Sequence, residues 1–302
     1  MKRHLIVLGG SLLAVAAVAT AGVASGFGSQ TSVRSFGHVK QMGPNMAGKK
    51  ATSLAQLRGV NFVSGCRFSH RNTDDVIVYP GQPGKSHDHT YLGNDSTNAF
   101  STVATMLAAT TSCRRPGDTA GYWVPTLIAA NGTPVVPRSA SVYYRRHTLD
   151  ALQTFPLGFK MIAGDSKATA AQSLKVTSWN CGPQGGVRPS STIPTCPDAG
   201  RNGLALHVAF PDCWDGTSLD SPDHKSHMAY SMRGRCPADH PVAVPALQVN
   251  VRYASAGGAG FVLASGGPFS GHADFFNTWN QGRLQALVNG CLNALRHCQQ
   301  GV

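Results

Sequence analysis

The sequence predicts a mainly β protein: a single-domain β-sandwich, jelly-roll-like, with long loops and a C-terminal helix. Short segments rich in β-branched and aromatic residues recur along the chain, each bounded by Gly, Pro, Asn or Asp. Only one long stretch keeps helical spacing. Eight cysteines, 34 glycines and 18 prolines in 302 residues suit a turn-rich scaffold stapled by disulfides.

The first element is an export signal. Met1-Lys2-Arg3-His4 is followed by an uncharged apolar run from Leu5 to Ala24, with small residues at Ala19-Thr20-Ala21 and Gly22-Val23-Ala24. A basic start, an apolar middle and a small-residue end predict a cleaved signal peptide over residues 1–24. The alternative is an uncleaved anchor, because the run approaches the roughly 20 residues that span a bilayer. Residues 25–59, rich in Gly, Ser, Gln, Lys and Ala, read as a flexible lead-in. Residues 60–302 read as a single secreted β-rich domain.

Within that domain Asp74–Tyr79 reads as a strand stopped by Pro80, and Gly81-Gln82-Pro83-Gly84 as a turn into Ser86–Leu92. Thr97–Ala109 has the spacing of a modest helix. Gly121–Ala129, Asn131-Gly132 and Thr133–Val136 form a hairpin signal. Ser141–Arg146, Phe159–Ile162, Lys175–Trp179, Leu204–Phe210, Leu247–Tyr253 and Phe261–Leu263 are further short strands. Thr278–Leu295 is the long helix, weakened at Gly290.

All eight cysteines, Cys66, Cys113, Cys181, Cys196, Cys213, Cys236, Cys291 and Cys298, follow the signal. They predict up to four disulfides, and no Cys-x-x-Cys pair supports a thiolate zinc site. Eight cysteines allow 105 pairings. Neighbour pairing is preferred because short loops close most easily. Cys291 and Cys298 would lie roughly 10 Å apart along an unbroken helix, so their pairing requires the helix to end between them.

The net charge is +12, but the basic residues are scattered without a Lys/Arg block and only 13% of residues are charged. Nucleic acid is therefore not the expected partner; polysaccharide or a cell-wall glycan is. No later stretch is apolar enough to span a membrane. The mature chain is expected to be an extracellular monomer.

Three polar segments carry the candidate chemistry. The densest is Cys213–His227, with Trp214, Asp215, Asp220, Asp223, His224 and His227 in a loop almost without apolar residues. In Ser86-His87-Asp88-His89 the two histidines share one face of an extended segment, with Asp88 on the other. In His272-Ala273-Asp274 the same spacing pairs an imidazole with a carboxylate, unless Asp274 or the following Asn277 caps the helix behind it. Paired imidazoles and carboxylates suit acid/base work, and three neutral imidazoles suit a metal ion. The catalytic candidates are thus His87, His89, Asp215, Asp223, His224, His227, His272 and Asp274. Lys85, Tyr144, Arg145 and Trp214 are candidate substrate contacts. The metal alternative, copper or zinc, uses His87 and His89 with His224 as third ligand, His227 and His272 being its competitors. There is no G-x-S-x-G elbow and no phosphate loop, so a serine hydrolase and a nucleotide enzyme are both disfavoured.

These residues also carry a resemblance. Ser86–His89 with Gly93-Asn94, Tyr122–Leu127, Tyr143-Tyr144-Arg145, Met161–Asp165, Cys213–Gly216, Leu219–His227, Cys236-Pro237 with His240-Pro241, and His272–Phe275 resemble the secreted actinobacterial and fungal proteins catalogued as domain of unknown function 1996. The resemblance spans roughly residues 60–298. Fungal relatives are often fused to carbohydrate-binding modules, which implies a polysaccharide setting and no particular reaction. The function expected is glycosidic bond cleavage, by hydrolysis or β-elimination, at a His/Asp-rich site. The alternatives are a copper or zinc protein and a non-catalytic wall-binding module.

Overall fold

The computed structural model describes residues 48–182 and 184–299; the expected signal peptide and most of the lead-in lie outside the described residues. In chain order the strands are β1 (Asn61–Cys66), β2 (Phe68–Asn72), β3 (His89–Gly93), β4 (Gly121–Pro125), β5 (Leu127–Ile128), β6 (Pro137–Arg145), β7 (Lys160–Gly164), β8 (Thr177–Cys181), β9 (Leu204–Ala209), β10 (Cys213–Trp214), β11 (Met228–Ala229), β12 (Val242–Ala243), β13 (Ala246–Tyr253), β14 (Val262–Leu263), β15 (His272–Phe276) and β16 (His297–Cys298). The helices are α1 (Val103–Ala108) and α2 (Gln281–Leu287).

A six-stranded sheet ordered β16-β1-β6-β13-β9-β8 faces a five-stranded sheet ordered β2-β3-β4-β15-β7. Period-2 alternation explains the sandwich. Phe62, Val142, Tyr144, Val249, Leu206 and Val208 of the first sheet share one core with Leu92, Tyr122, Val124, Met161, Ala163, Ala273 and Phe275 of the second. A polar knot crosses this core. Tyr122 Oη lies 2.6 Å from Tyr144 Oη, Trp279 Nε1 donates to Tyr144 Oη at 2.8 Å, and Tyr122 Oη donates to Asp118 at 3.0 Å. Burial pushes the Asp118 carboxyl up to about 7, so near neutral pH its protonated and ionised forms are both populated.

The five-stranded sheet is buried on both faces, since β3, β4 and β15 are buried at every residue. Its outer face packs Tyr91, Trp123, Ile162 and Phe276 against Val76, Ile77 and Met106 in a second, smaller core. Asp74–Tyr79 supplies part of that cover as a turn, not as the expected strand. Asp75 Oδ1 accepts from the amides of Ile77 and Val78 at 2.9 and 3.0 Å, which bends the chain and tucks Val76 and Ile77 inward.

The four disulfides join neighbours: Cys66–Cys113, Cys181–Cys196, Cys213–Cys236 and Cys291–Cys298. The first helix starts only at Val103, where Thr102 and Thr105 form a capping box. The C-terminal helix is shorter than its periodicity predicts. Asn280, not Asp274 or Asn277, caps it by accepting from the Arg283 amide. After Leu287 it widens into a π turn over Val288–Leu292 that contains Gly290, which lets Cys298 return to Cys291. The chain docks before Val60: the Lys49 amide donates to Asn293 O and the Ala51 amide to Leu149 O, and Leu57 is buried. Among the described residues no helix is long and apolar enough to cross a membrane.

Candidate functional site

The site follows from strand register. β4 lies between β3 and β15 and is antiparallel to both, so β3 and β15 run parallel to each other. Tyr91 and Asp274 both pair with Trp123, and Asp274 also pairs with Ile162. Two residues back along each strand stand His89 and His272, on the same outer face and at the same end. Pro125, the partner of His89 on the middle strand, ends β4 there. Over it the two rings approach to 5.7 Å between centroids. His87 comes in from the loop before β3, with its ring 4.2 Å from His89 and 5.0 Å from His272. Asp88 turns away and accepts from Arg71 Nε.

Hydrogen bonds orient these rings. His89 Nδ1 donates to Asp74 O at 3.0 Å and His272 Nδ1 donates to Ser270 O at 2.9 Å. A carbonyl only accepts, so both Nδ1 atoms carry the proton and, in the neutral rings, both Nε2 atoms present lone pairs inward. His89 Nε2 is buried with no partner among the described residues. His87 Nε2 lies 3.2 Å from His272 Nε2. One ligand atom from each of His87, His89 and His272 falls within 4.8 Å of the others, and Asp75, His89 and Asp274 form an overlapping set under the same limit. Both oxygens of Asp274 are buried without a hydrogen bond among the described residues, and His272 Nε2 lies 3.9 Å from Oδ2.

Electrostatics keep this cluster uncharged in the absence of an ion. Burial lowers His87 to about 4 and His272 to about 3, with the neighbouring His87 and Lys225 charges adding to the effect on His272. Burial likewise drives His89 well below the usual imidazole range, and the other two imidazoles lower it further. Burial pushes Asp274 well above the carboxylate range, as does the adjacent Asp75. Lys225 sits on the rim, with Nζ donating to Gly164 O at 2.7 Å. His89 is fully buried and His272 and Asp274 nearly so, whereas His87 is half-buried. Solvent therefore reaches the cluster past His87.

The Cys213–His227 loop behaves differently. Asp215 accepts from the amides of Thr217 and Ser218. Asp223 accepts from the amides of Lys225 and Ser226 and from two serine hydroxyls. His227 Nε2 donates to Lys160 O, Nδ1 bonds Ser221 Oγ, and the ring packs on Phe159. Trp214 is buried, with Nε1 donating to Ser218 O. These groups hold the loop itself. His224 is tied through Nδ1 to Asp220 at 2.9 Å, so the third imidazole beside His87 and His89 is His272, not His224.

The expected substrate contacts are dispersed. Tyr144 belongs to the core knot, because its position on β6 faces inward. Arg145, the next residue, points to the other face and stacks on Tyr143 at 4.5 Å. Lys85 is exposed, with Nζ 6.0 Å from the Tyr79 ring. Sequence reading missed Asp75 and Lys225. Asp75 was hidden in an apparent strand, although an Asp-Asp pair ahead of a short apolar run is also a turn signal. Lys225 lies inside the recognised loop between two more conspicuous histidines.

No curated protein and no solved structure matches the chain. A family model described as Domain of unknown function (DUF1996) matches residues 75–279, and the chain belongs to that family. The matched span includes every residue of the His87–His89–His272 cluster together with Asp75, Asp274 and Lys225.

Proposed function

We propose that this member of the DUF1996 family is a secreted, metal-dependent enzyme that cleaves polysaccharide, with a copper or zinc ion held by His87, His89 and His272. The observation that carries the reading is the convergence of three imidazoles around a buried, unpartnered His89 Nε2. Two nitrogens each about 2.1 Å from a tetrahedral ion stand about 3.4 Å apart, close to the 3.2 Å between His87 Nε2 and His272 Nε2. Carbonyl acceptors behind His89 and His272 fix the tautomer that ligation needs. A cation also gives the stranded Asp274 carboxylate a counter-charge.

Three protein ligands leave a position open, and such an ion supplies a polarising centre and an activated water. The open side is that of His87. Lys225 adds a positive charge near His272, which favours a substrate carrying anionic groups. Four disulfides fit an oxidising compartment.

The test is metal analysis of gently purified protein, followed by incubation with a panel of wall polysaccharides read by mass spectrometry. About one ion per chain is expected, with products that vanish after chelation and return with copper or zinc. No bound ion, and no thermal shift with either metal, would defeat the metal reading. Products that survive chelation would instead favour His87 as a metal-free base, since it is neutral above about pH 4 and reachable. Retention on insoluble wall without soluble product would mark a binding module.

A further inference from the structure

A cavity lies away from the histidine cluster and shares no residue with it. It has a volume of about 550 Å³ and is lined by Leu54, Leu57, Val60, Asn61, Arg58, Arg145, Arg146, His147 and Arg233 with neighbouring glycines. It opens where β1 begins and β6 ends, between the turn at Leu54–Leu57 and the loop carrying Arg233.

Its charge is one-sided. Among the described residues no carboxylate lines it. Arg146 is fully buried and spends its guanidinium on three backbone carbonyls, those of Thr148, Leu149 and Leu292, so it is a strut. Arg58, Arg145 and Arg233 make no ion pair and no side-chain hydrogen bond among the described residues. Arg145 is half-buried, and stacking on Tyr143 fixes its plane. Burial lowers its affinity for its proton, which is the cost of holding a cation there without a partner. Arg233 adopts a left-handed backbone at φ 51° beside Gly234, whose backbone is packed against Leu54 and Leu149.

We propose that this cavity is a binding site for the carboxylate of an acidic sugar, a uronate residue, distinct from the histidine cluster. A guanidinium fork matches a carboxylate bidentately, and a pre-set fork loses little freedom on binding. The volume is in the range of small-ligand sites and accommodates one or two sugar rings. Leu54, Leu57 and Val60 add apolar lining against which a ring face can pack. The site positions an acidic glycan without cleaving it and stands whether or not the metal reading holds.

The experiment titrates the purified mature protein with tri-galacturonate and with glucuronate, against a neutral trisaccharide and inorganic sulfate, by calorimetry. Both uronates are expected to bind, more weakly as salt rises, and the neutral sugar not to bind. Arg145→Gln and Arg233→Gln should each weaken uronate binding by about tenfold or more. Arg145→Lys keeps charge and stem but loses the fork, and should still lose most of the affinity, which separates a fork from a general field. Absence of uronate binding, equal binding of the neutral sugar, binding of sulfate alone, or wild-type affinity in both glutamine variants would each overturn the proposal. Circular dichroism of each variant confirms that it is folded before it is scored.

Discussion

Two regions of this protein are equally rich in histidine and aspartate and do opposite things with them. In the Cys213–His227 loop nearly every polar atom closes on a neighbour, and Asp223 alone accepts four hydrogen bonds. On the outer face of the five-stranded sheet His89 Nε2 and both Asp274 oxygens stand buried with no hydrogen-bond partner among the described residues. Satisfied groups fold a loop. Unsatisfied buried groups cost stability and are kept where something else completes them. Both places draw on the same two residue types; only the pairing tells a scaffold from a candidate site.

The sharpest way to break this comparison is to remove one imidazole from each region. His272→Ala should lower copper or zinc affinity at least ~100-fold, since each ligand carries a share of a binding free energy of about 10 kcal/mol or more. His227→Ala should leave metal affinity within about twofold and act on the fold instead. It loses two hydrogen bonds and a ring contact, about 2 kcal/mol, or roughly 4–8 °C in the melting temperature. A metal titration and a thermal melt on both variants decide the matter. Equal metal loss in both would collapse the distinction.

Acid should expose the cluster next. In the metal-free protein His272 is held to about 3 by burial, against about 6.5 when unfolded. The unfolded chain then binds the extra proton first, so stability is full above about pH 6.5 and falls as pH drops towards about 3. The slope reaches ~1.4 kcal/mol per pH unit for this group. His272→Asn should flatten that arm of a pH-dependent denaturant titration, and an unchanged slope would show that His272 is not buried neutral.

Smaller effects test the supports. Gly164 sits beside His272 at φ 82°, and a Cβ there would stand 2.4 Å from Gly271 O and 2.9 Å from His272 Cα. Gly164→Ala should shift His272 and cost about tenfold in metal affinity by calorimetry, as a support one step removed from the ion does. Asp223→Ala should cost only about 1 kcal/mol, comparable to losing a cap, with metal affinity unchanged.

Much of the fold is legible in the sequence. Leu204–Ala209 and Ala246–Tyr253 alternate inward apolar residues with the period of a strand, and both strands form within a residue of their expected bounds. Neighbour pairing of the cysteines follows from short loop closure. Asp74–Tyr79 misleads because Val-Ile-Val is apolar in a strand or in a buried turn alike, and the Asp75 side chain, invisible to periodicity, chooses the turn. The C-terminal helix is over-read for a related reason: a disulfide and a π turn overrule its periodicity.

Local chemistry by itself pointed to most of the strand alternation, to neighbour pairing as the preferred cysteine arrangement and to the two facts that matter most about the site, that His87 shares a side with His89 and His272 with Asp274. Those follow from period 2, which needs only neighbours in sequence. That His89 and His272 meet was decided by β4, which separates them in space, sets them parallel and brings their ends level. Their separation in the chain is 183 residues, and register between strands that distant is a property of the whole sandwich. The same holds for satisfaction. Whether an imidazole nitrogen finds a carbonyl or is left facing its neighbours depends on atoms far away in sequence, and that is why His227 became structure and His89 an open ligand.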